Sequence, residues 1–147
     1  MKCSICDSAS VPVFSKTVLF AHEVQYFRCE GCGYLQTEQP YWLEEAYSSA
    51  IAALDVGLVQ RNLELASRIE DVILGAFDPG KRFLDYAGGY GLLVRLMRDR
   101  GFDFCWTDRY CENLFARFFS LADVTGRRSG FELVTVIEVL EHLVDPY

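Results

Sequence analysis

The chain has 147 residues, of which 51% are hydrophobic, 14% aromatic and 24% charged, and its formal net charge is −7. This composition is typical of a globular protein and excludes a disordered chain, which would carry fewer aromatic residues. The acidic balance argues against nucleic-acid binding, which needs a basic face. No apolar run reaches the roughly 18–20 residues that span a bilayer, and the N-terminus lacks a signal-peptide core. We therefore expect a cytoplasmic protein with neither a nucleic-acid nor a membrane partner.

Four of the six cysteines form two C-x-x-C pairs, with 22 residues between the pairs. Because cytosolic thiols are kept reduced, a disulfide framework is not expected. Two such pairs can close a tetrahedral shell of four thiolates around a structural Zn²⁺, with no open position for a catalytic water. The alternative is a set of four buried or redox-active thiols, but paired C-x-x-C turns are typical of zinc sites. The predicted ligands are Cys3, Cys6, Cys29 and Cys32.

The first 36 residues are predicted to form a small β zinc ribbon. Apolar, β-prone stretches occupy positions 11–14, 18–20 and 24–27, and Ser15–Lys16 is expected to break the first two apart. A segment of this length is too small to bury a core alone, so Zn²⁺ binding is expected to help fold it.

Residues 37–80 are predicted to be a helical linker or cap. The helical stretch begins near Pro40, is interrupted at 55–57 and ends at the turn 78–80. Within it, apolar residues recur at steps of three and four, which predicts one buried helical face. These residues are Val59, Leu63, Ala66, Ile69 and Ile73.

Residues 81–147 alternate between strand and helix patterns. Strands are expected at 82–86, 102–107 and 131–137, the last an apolar run typical of a strand buried on both faces. Helices are expected from Leu92, with its arginines outward and Gly101 as a stop, and over 113–119. This alternation predicts the fold class α/β, with a parallel sheet and right-handed crossovers.

The stretch between the strand at 82–86 and its helix is rich in glycine. A glycine turn at this point lets a ligand approach the backbone, and Asp108, 17 positions after Gly91, is placed to accept hydrogen bonds from a ribose. A dinucleotide motif is disfavoured because Val94 stands where close helix–strand packing requires Gly or Ala. A phosphate-binding Gly-Lys-Ser/Thr sequence is absent.

Three features resemble Rossmann-like S-adenosylmethionine (SAM)-dependent methyltransferases. The pattern of Asp85, Ala87, Gly89 and Gly91 resembles their first motif, D-x-G-x-G-x-G, with Ala87 at the first glycine position. Residues 138–146 resemble their E-V-x-E-H-x-x-D-P segment, and together the motifs cover about residues 82–147. A zinc ribbon followed by helices also resembles a bacterial branch that includes sugar and natural-product C-methyltransferases.

The resemblance implies roles for particular residues. Asp85 would hold the methionine amino end through water, Gly89 and Gly91 would lie along the methionine moiety, and Asp108 would bind the ribose. Ala87 and Glu138 complete the implied cofactor set. His142, with the adjacent Glu141, is the candidate general base if the acceptor must lose a proton. Structural alternatives stay open: a loop carboxylate for Asp85, an Asx turn for Asp108, and helix-start charges for the two glutamates.

The resemblance implies a sheet of seven strands, whereas this chain supplies at most four. We therefore interpret it as the N-terminal part of a methyltransferase, expected to have little activity alone. The expected partner is a small-molecule acceptor, such as a sugar nucleotide or natural product. The alternative is a non-catalytic zinc-ribbon interaction module with a degenerate nucleoside-binding half-domain.

Overall fold

The computed structural model describes residues 1–46, 56–124, 130–140 and 143. These residues fall into two compact units, one made of residues 1–46 and the other of the described residues from 56 to 143. Within the described ranges, no helix combines the length and apolar character needed to cross a membrane. The division into ribbon, helical region and α/β region stays a prediction.

The first unit is a three-stranded antiparallel sheet followed by a short helix. Its strands are β1 (Ser10–Val18), β2 (His22–Cys29) and β3 (Leu35–Thr37), in the order β1-β2-β3, and α1 spans Leu43–Ala46. The predicted break at Ser15–Lys16 is wrong, because β1 runs through both residues in register with Gln25 and Val24. Both positions are solvent-exposed, so polar side chains there do not interrupt the strand.

The second unit contains the predicted parallel sheet. Helix α2 (Leu58–Ala76) precedes β4 (Arg82–Tyr86), which is followed by α3 (Leu92–Asp99), β5 (Asp103–Thr107), α4 (Leu121–Val124) and β6 (Leu133–Thr135). The strand order is β5-β4-β6, and β4 pairs in parallel with both neighbours. The carboxyl ends of the three strands therefore meet at one edge, where open α/β sheets bind their ligands.

The core of this unit lies between the helices and the sheet. From α2 it takes Ala66, Ile69 and Ile73, as predicted, whereas Val59 and Leu63 are exposed. Helix α3 and the strands supply the remaining large side chains, and the rings of Phe83 and Phe104 stack with centroids 5.1 Å apart. The other main members are Leu93, Val94, Met97, Phe102 and Trp106. Since Val94 is fully buried, the residue that argues against a dinucleotide motif is part of this core.

Two predicted elements differ in the structure. Residues 113–119 are not helical: the side chain of Asn113 accepts a hydrogen bond from Ala116 N and donates one to Ala116 O, both at 2.9 Å, and Phe118 has a φ of 70°. A side chain that bonds nearby backbone in this way competes with the helix. Strand β6 spans only three residues, and Val134 is exposed, so the expectation of burial on both faces is wrong there.

One arginine of α3 also departs from the prediction. Arg98 is not directed into solvent: it donates to Asp103 at 2.6 Å and to the backbone oxygen of Phe104, and its guanidinium lies 3.7 Å from the ring centroid of Phe119. Arg82 binds the same Asp103 carboxylate at 2.9 Å. The two guanidiniums hold the pKa of Asp103 below its usual range against the opposing effect of burial. These contacts tie α3 and β4 to the start of β5.

Candidate functional site

The structure brings the four predicted metal ligands together in the first unit. The sulfur atoms of Cys3, Cys6, Cys29 and Cys32 all lie within 4.8 Å of one another. The Cys3–Cys32 sulfurs are 3.7 Å apart and the Cys6–Cys29 sulfurs 3.5 Å apart. A tetrahedral ion with Zn–S bonds of about 2.3 Å requires sulfurs about 3.8 Å apart. The four donors therefore fit a zinc ion in both chemistry and spacing.

Backbone amides surround the cysteine sulfurs and favour their ionised form. Gly31 N and Cys32 N point at the sulfur of Cys29, at 3.3 and 3.4 Å, and Ile5 N points at that of Cys3. The Cys32 amide is the main reason that the pKa of the Cys29 thiol falls to about 6. These amides therefore prepare the cluster for a cation.

The fourth thiol of the cluster resists ionisation without a metal. The amide of Tyr34 favours the Cys32 thiolate, but hydrogen bonding with Cys6, the lower hydration of a sulfur packed among other sulfurs, and hydrogen bonding with Cys29 and Cys3 outweigh it and raise the pKa of Cys32 to about 12. Four thiolates in one place therefore need a cation to neutralise them, as a zinc site does.

In the second unit, the glycine-rich segment forms a loop between β4 and α3. Ala87, Gly89 and Gly91 all have positive φ, at 54°, 55° and 84°. Space beyond the Gly89 Cα is open, because a Cβ there would contact nothing within 4 Å. The backbone of Gly89 is thus accessible to a ligand, as the glycine motif predicts.

Two other glycines of the loop are required by close packing. A Cβ on Gly91 would lie 2.8 Å from Ala116 Cβ, and one on Gly88 would lie 2.6 Å from an oxygen of Asp85. The loop closes on itself through a 2.9 Å hydrogen bond from Gly91 N to Gly88 O. Gly88 was not among the predicted site residues, because the motif treats its position as variable and only the tertiary fold places Asp85 and Trp106 against it.

Asp85 lies buried beneath this loop and is only 3% exposed. The hydroxyl of Thr135 on β6 lies 2.6 Å from one of its carboxylate oxygens. Burial raises the pKa of Asp85 to about 6, aided by the charge of Asp108 and opposed by the Thr135 hydrogen bond. Sequence reasoning missed Thr135, which is 50 residues away and is brought to Asp85 only by the parallel register of β4 and β6.

Asp108 joins the glycine loop to the end of β5. One carboxylate oxygen accepts a 2.9 Å hydrogen bond from Gly89 N, and the other accepts bonds from Tyr110 N and Cys111 N at 2.7 and 2.9 Å. The predicted ribose acid and the predicted loop therefore meet, and the Asx turn is formed as well. Burial, the charge of Asp108 and a hydrogen bond to it raise the pKa of the Cys111 thiol to about 11, so this thiol is a further partner of the Asp108 carboxylate.

The remaining predicted residues lie near the end of β6. Glu138 is exposed, three residues past the strand, with a φ of 52°. The candidate general base His142 and its neighbour Glu141 lie outside the described residues.

The described residues thus define a mixed α/β protein with a parallel sheet, and a separate antiparallel ribbon. The carboxyl edge of the parallel sheet carries a glycine loop, the buried carboxylate of Asp85 and the half-buried carboxylate of Asp108. A family model described as a methyltransferase domain matches residues 59–147, which is more than half of the chain. The chain therefore belongs to the methyltransferase domain family. No curated protein matches it significantly.

Proposed function

We propose that the protein is a SAM-dependent methyltransferase and that SAM binds at the carboxyl edge of β4 and β5. Family membership supports methyl transfer in general. The observation that carries the cofactor assignment is the 2.9 Å hydrogen bond from Gly89 N to Asp108, because it joins an open glycine loop to a carboxylate at the next strand's end. Nucleoside-binding α/β proteins use these two parts together.

Each predicted residue has a part in this proposal. Asp108 would accept a ribose hydroxyl at the end of β5, and Gly89 would lie along the methionine moiety, where nothing blocks its Cα. Asp85 is too buried for direct contact with a bulky group, which suits the water-mediated role that the resemblance implies. Gly91, Ala87 and Glu138 complete the proposed set.

SAM, when bound, would supply an electrophilic methyl group. The protein's task is then to hold the acceptor in line with that methyl, because positioning accounts for most of the acceleration in such a transfer. A base is required only for acceptors that must lose a proton, and His142 with Glu141 is the pair proposed for it. The proposed acceptor is a small molecule such as a sugar nucleotide or natural product, on the basis of the ribbon and helices before the α/β region.

The four cysteines are proposed to hold a structural Zn²⁺. Their sulfur spacing and the amides directed at them support this role, and a complete thiolate shell leaves no site for a catalytic water. The metal would stabilise the ribbon unit and take no part in the methyl transfer.

Calorimetric titration tests the cofactor assignment. We expect SAM to bind the full chain and NAD to bind at least tenfold more weakly. Asp108→Asn should weaken SAM binding at least tenfold, because an amide replaces a charged acceptor. Asp99→Asn is the matched control: its exposed pair with Arg95 contributes little, so affinity should not change. Tighter binding of NAD, or equal SAM affinity in both variants, would contradict the proposal.

One observation favours a second candidate, a non-catalytic zinc-ribbon interaction module whose nucleoside-binding half-domain is degenerate and has lost its ligand. The Asp108 carboxylate already accepts three backbone hydrogen bonds, which is a complete structural role without a ligand. This candidate predicts that the folded, zinc-loaded chain binds neither SAM nor NAD in the same titration.

A further inference from the structure

Gly89 is held by side chains at both of its backbone polar groups. Its N–H donates to Asp108, and its carbonyl accepts a 2.9 Å hydrogen bond from the indole N–H of Trp106. Both partners come from the end of β5, two positions apart. Trp106 is 9% exposed, and its ring lies 3.0 Å from where a Cβ of Gly88 would be. One strand end therefore restrains the loop at two atoms of a single residue.

These restraints act where the chain is most free to move. Glycine loses more conformational freedom on folding than any other residue, and Gly89 has a left-handed φ with open space beyond its Cα. The bonds to its N–H and carbonyl fix the two peptide planes that flank it. A loop fixed in this way has less conformational entropy to lose when a ligand binds.

We propose that Trp106 is a positioning residue that holds the Gly89 loop in its ligand-binding conformation. This inference rests on the proposed cofactor site. Asp108 serves both the loop and the proposed ribose contact, whereas the indole N–H of Trp106 donates to the Gly89 carbonyl of the loop. The rest of the Trp106 ring packs in the core. A residue at this position that packs equally well but lacks an N–H donor would leave the carbonyl without its partner.

Binding of S-adenosylhomocysteine, measured by calorimetry, provides the first test. Trp106→Phe keeps an aromatic ring and removes the donor, and we expect affinity to fall about five- to tenfold, as for the loss of one hydrogen bond. Trp42→Phe, in the first unit, is the matched control and should bind S-adenosylhomocysteine like the wild type. A sharper variant carries 3-benzothienylalanine at position 106 in the Trp42→Phe background, because sulfur replaces only the N–H of an isosteric ring. Unchanged affinity in this variant would overturn the proposal.

Hydrogen exchange of the ligand-free protein provides a second readout that needs no cofactor. We expect slow exchange of the Gly89 amide in the wild type, and at least fivefold faster exchange once the Trp106 donor is removed, with core amides such as that of Phe104 unchanged. Equal Gly89 exchange in both proteins would overturn the proposal. If removal of the Trp106 donor speeds Gly89 exchange as expected but the wild type binds no S-adenosylhomocysteine, the proposed cofactor site fails while the restraint of the loop by Trp106 stands.

Discussion

Thr135 on β6 and Asp85 on β4 form a 2.6 Å hydrogen bond inside the sheet, beneath the glycine loop. The threonine hydroxyl has one proton, and an ionised Asp85 accepts it. When Asp85 is protonated, it can donate to the hydroxyl instead, and the hydroxyl can donate to the Leu84 carbonyl 3.3 Å away. The pair therefore satisfies its hydrogen bonds in both protonation states, which makes a buried carboxyl with a raised pKa tolerable in this fold.

Asp85→Asn should stabilise the protein at neutral pH. The pKa of Asp85 in the folded protein, about 6, is above its ordinary value of 3.8. The folded state thus holds the proton more tightly, and the stability that this carboxyl contributes is complete below about pH 4 and lost as pH rises through about 6. The variant's advantage in free energy of unfolding should grow over that range by up to about 3 kcal/mol. Urea denaturation at pH 4.5 and 7.5 should record about 2 kcal/mol of this change, because the rest falls below pH 4.5.

The exposed Asp99→Asn variant is the control for this experiment and should show no comparable pH-dependent difference. An advantage of Asp85→Asn that is constant with pH would contradict the raised pKa. The same variant should bind SAM more weakly than the wild type, so a gain in stability would accompany a loss of function.

Ala87→Gly should also stabilise the protein. Ala87 has a φ of 54°, a left-handed conformation that costs a non-glycine residue about 1–2 kcal/mol. Glycine removes that cost, but it also gives the unfolded chain more conformational entropy, which lowers stability by about 0.4–1 kcal/mol. The expected net gain in the free energy of unfolding is about 0.5–1 kcal/mol. Thermal or urea denaturation measures it. Ala76→Gly, at the exposed end of α2, should destabilise instead, and a loss of stability in Ala87→Gly would contradict the positive φ.

Gly91→Ala should destabilise the protein by about 2 kcal/mol or more. The added methyl would lie 2.8 Å from Ala116 Cβ in a backbone with a φ of 84°, so it would face both steric overlap and left-handed strain. Urea denaturation gives the change in the free energy of unfolding. Gly75→Ala is the matched control: it lies within α2 with nothing within 4 Å of the new Cβ, and it should stabilise by about 0.5–1 kcal/mol. Equal effects in the two variants would show that Gly91 is not closely packed.

Removal of the metal should unfold the ribbon. We expect about one zinc per chain by elemental analysis, and loss of the β1–β2 signals in amide NMR spectra after chelation, because metal binding supplies folding free energy. Cys32→Ser is the informative variant. Because Cys32 is exposed, the change should leave the stability of the metal-free chain nearly unaltered. It should abolish tight zinc binding, since one of the four ligands is lost. Cys111→Ser, half-buried and outside the cluster, should retain the zinc. Equal metal content in both variants would contradict the four-cysteine site.

The sequence by itself determined the local parts of this protein. The C-x-x-C spacing identified the four cysteines, and the change from helical period to apolar strand identified β4, α3 and β5 with nearly the observed bounds. The glycine loop was also recognisable, because a turn that needs positive φ favours glycine at those positions. The spacing within each C-x-x-C pair, the strand and helix periods and the glycine turn all lie within a few residues, which is why the sequence pattern predicts them.

Only the tertiary structure decided what lies against those parts. Thr135 meets Asp85 because β6 pairs with β4 in one particular register, and the Trp106 indole reaches Gly89 because β5 lies beside the loop. Contacts with a distant segment also explain why the helix predicted over 113–119 is not formed. Leu114 N and Phe115 N donate to Tyr90 O, and residue 116 packs on Gly91. Pairings between distant segments depend on how strands align and pack across the sheet, and the pattern within one segment does not specify which residue of another segment it will contact.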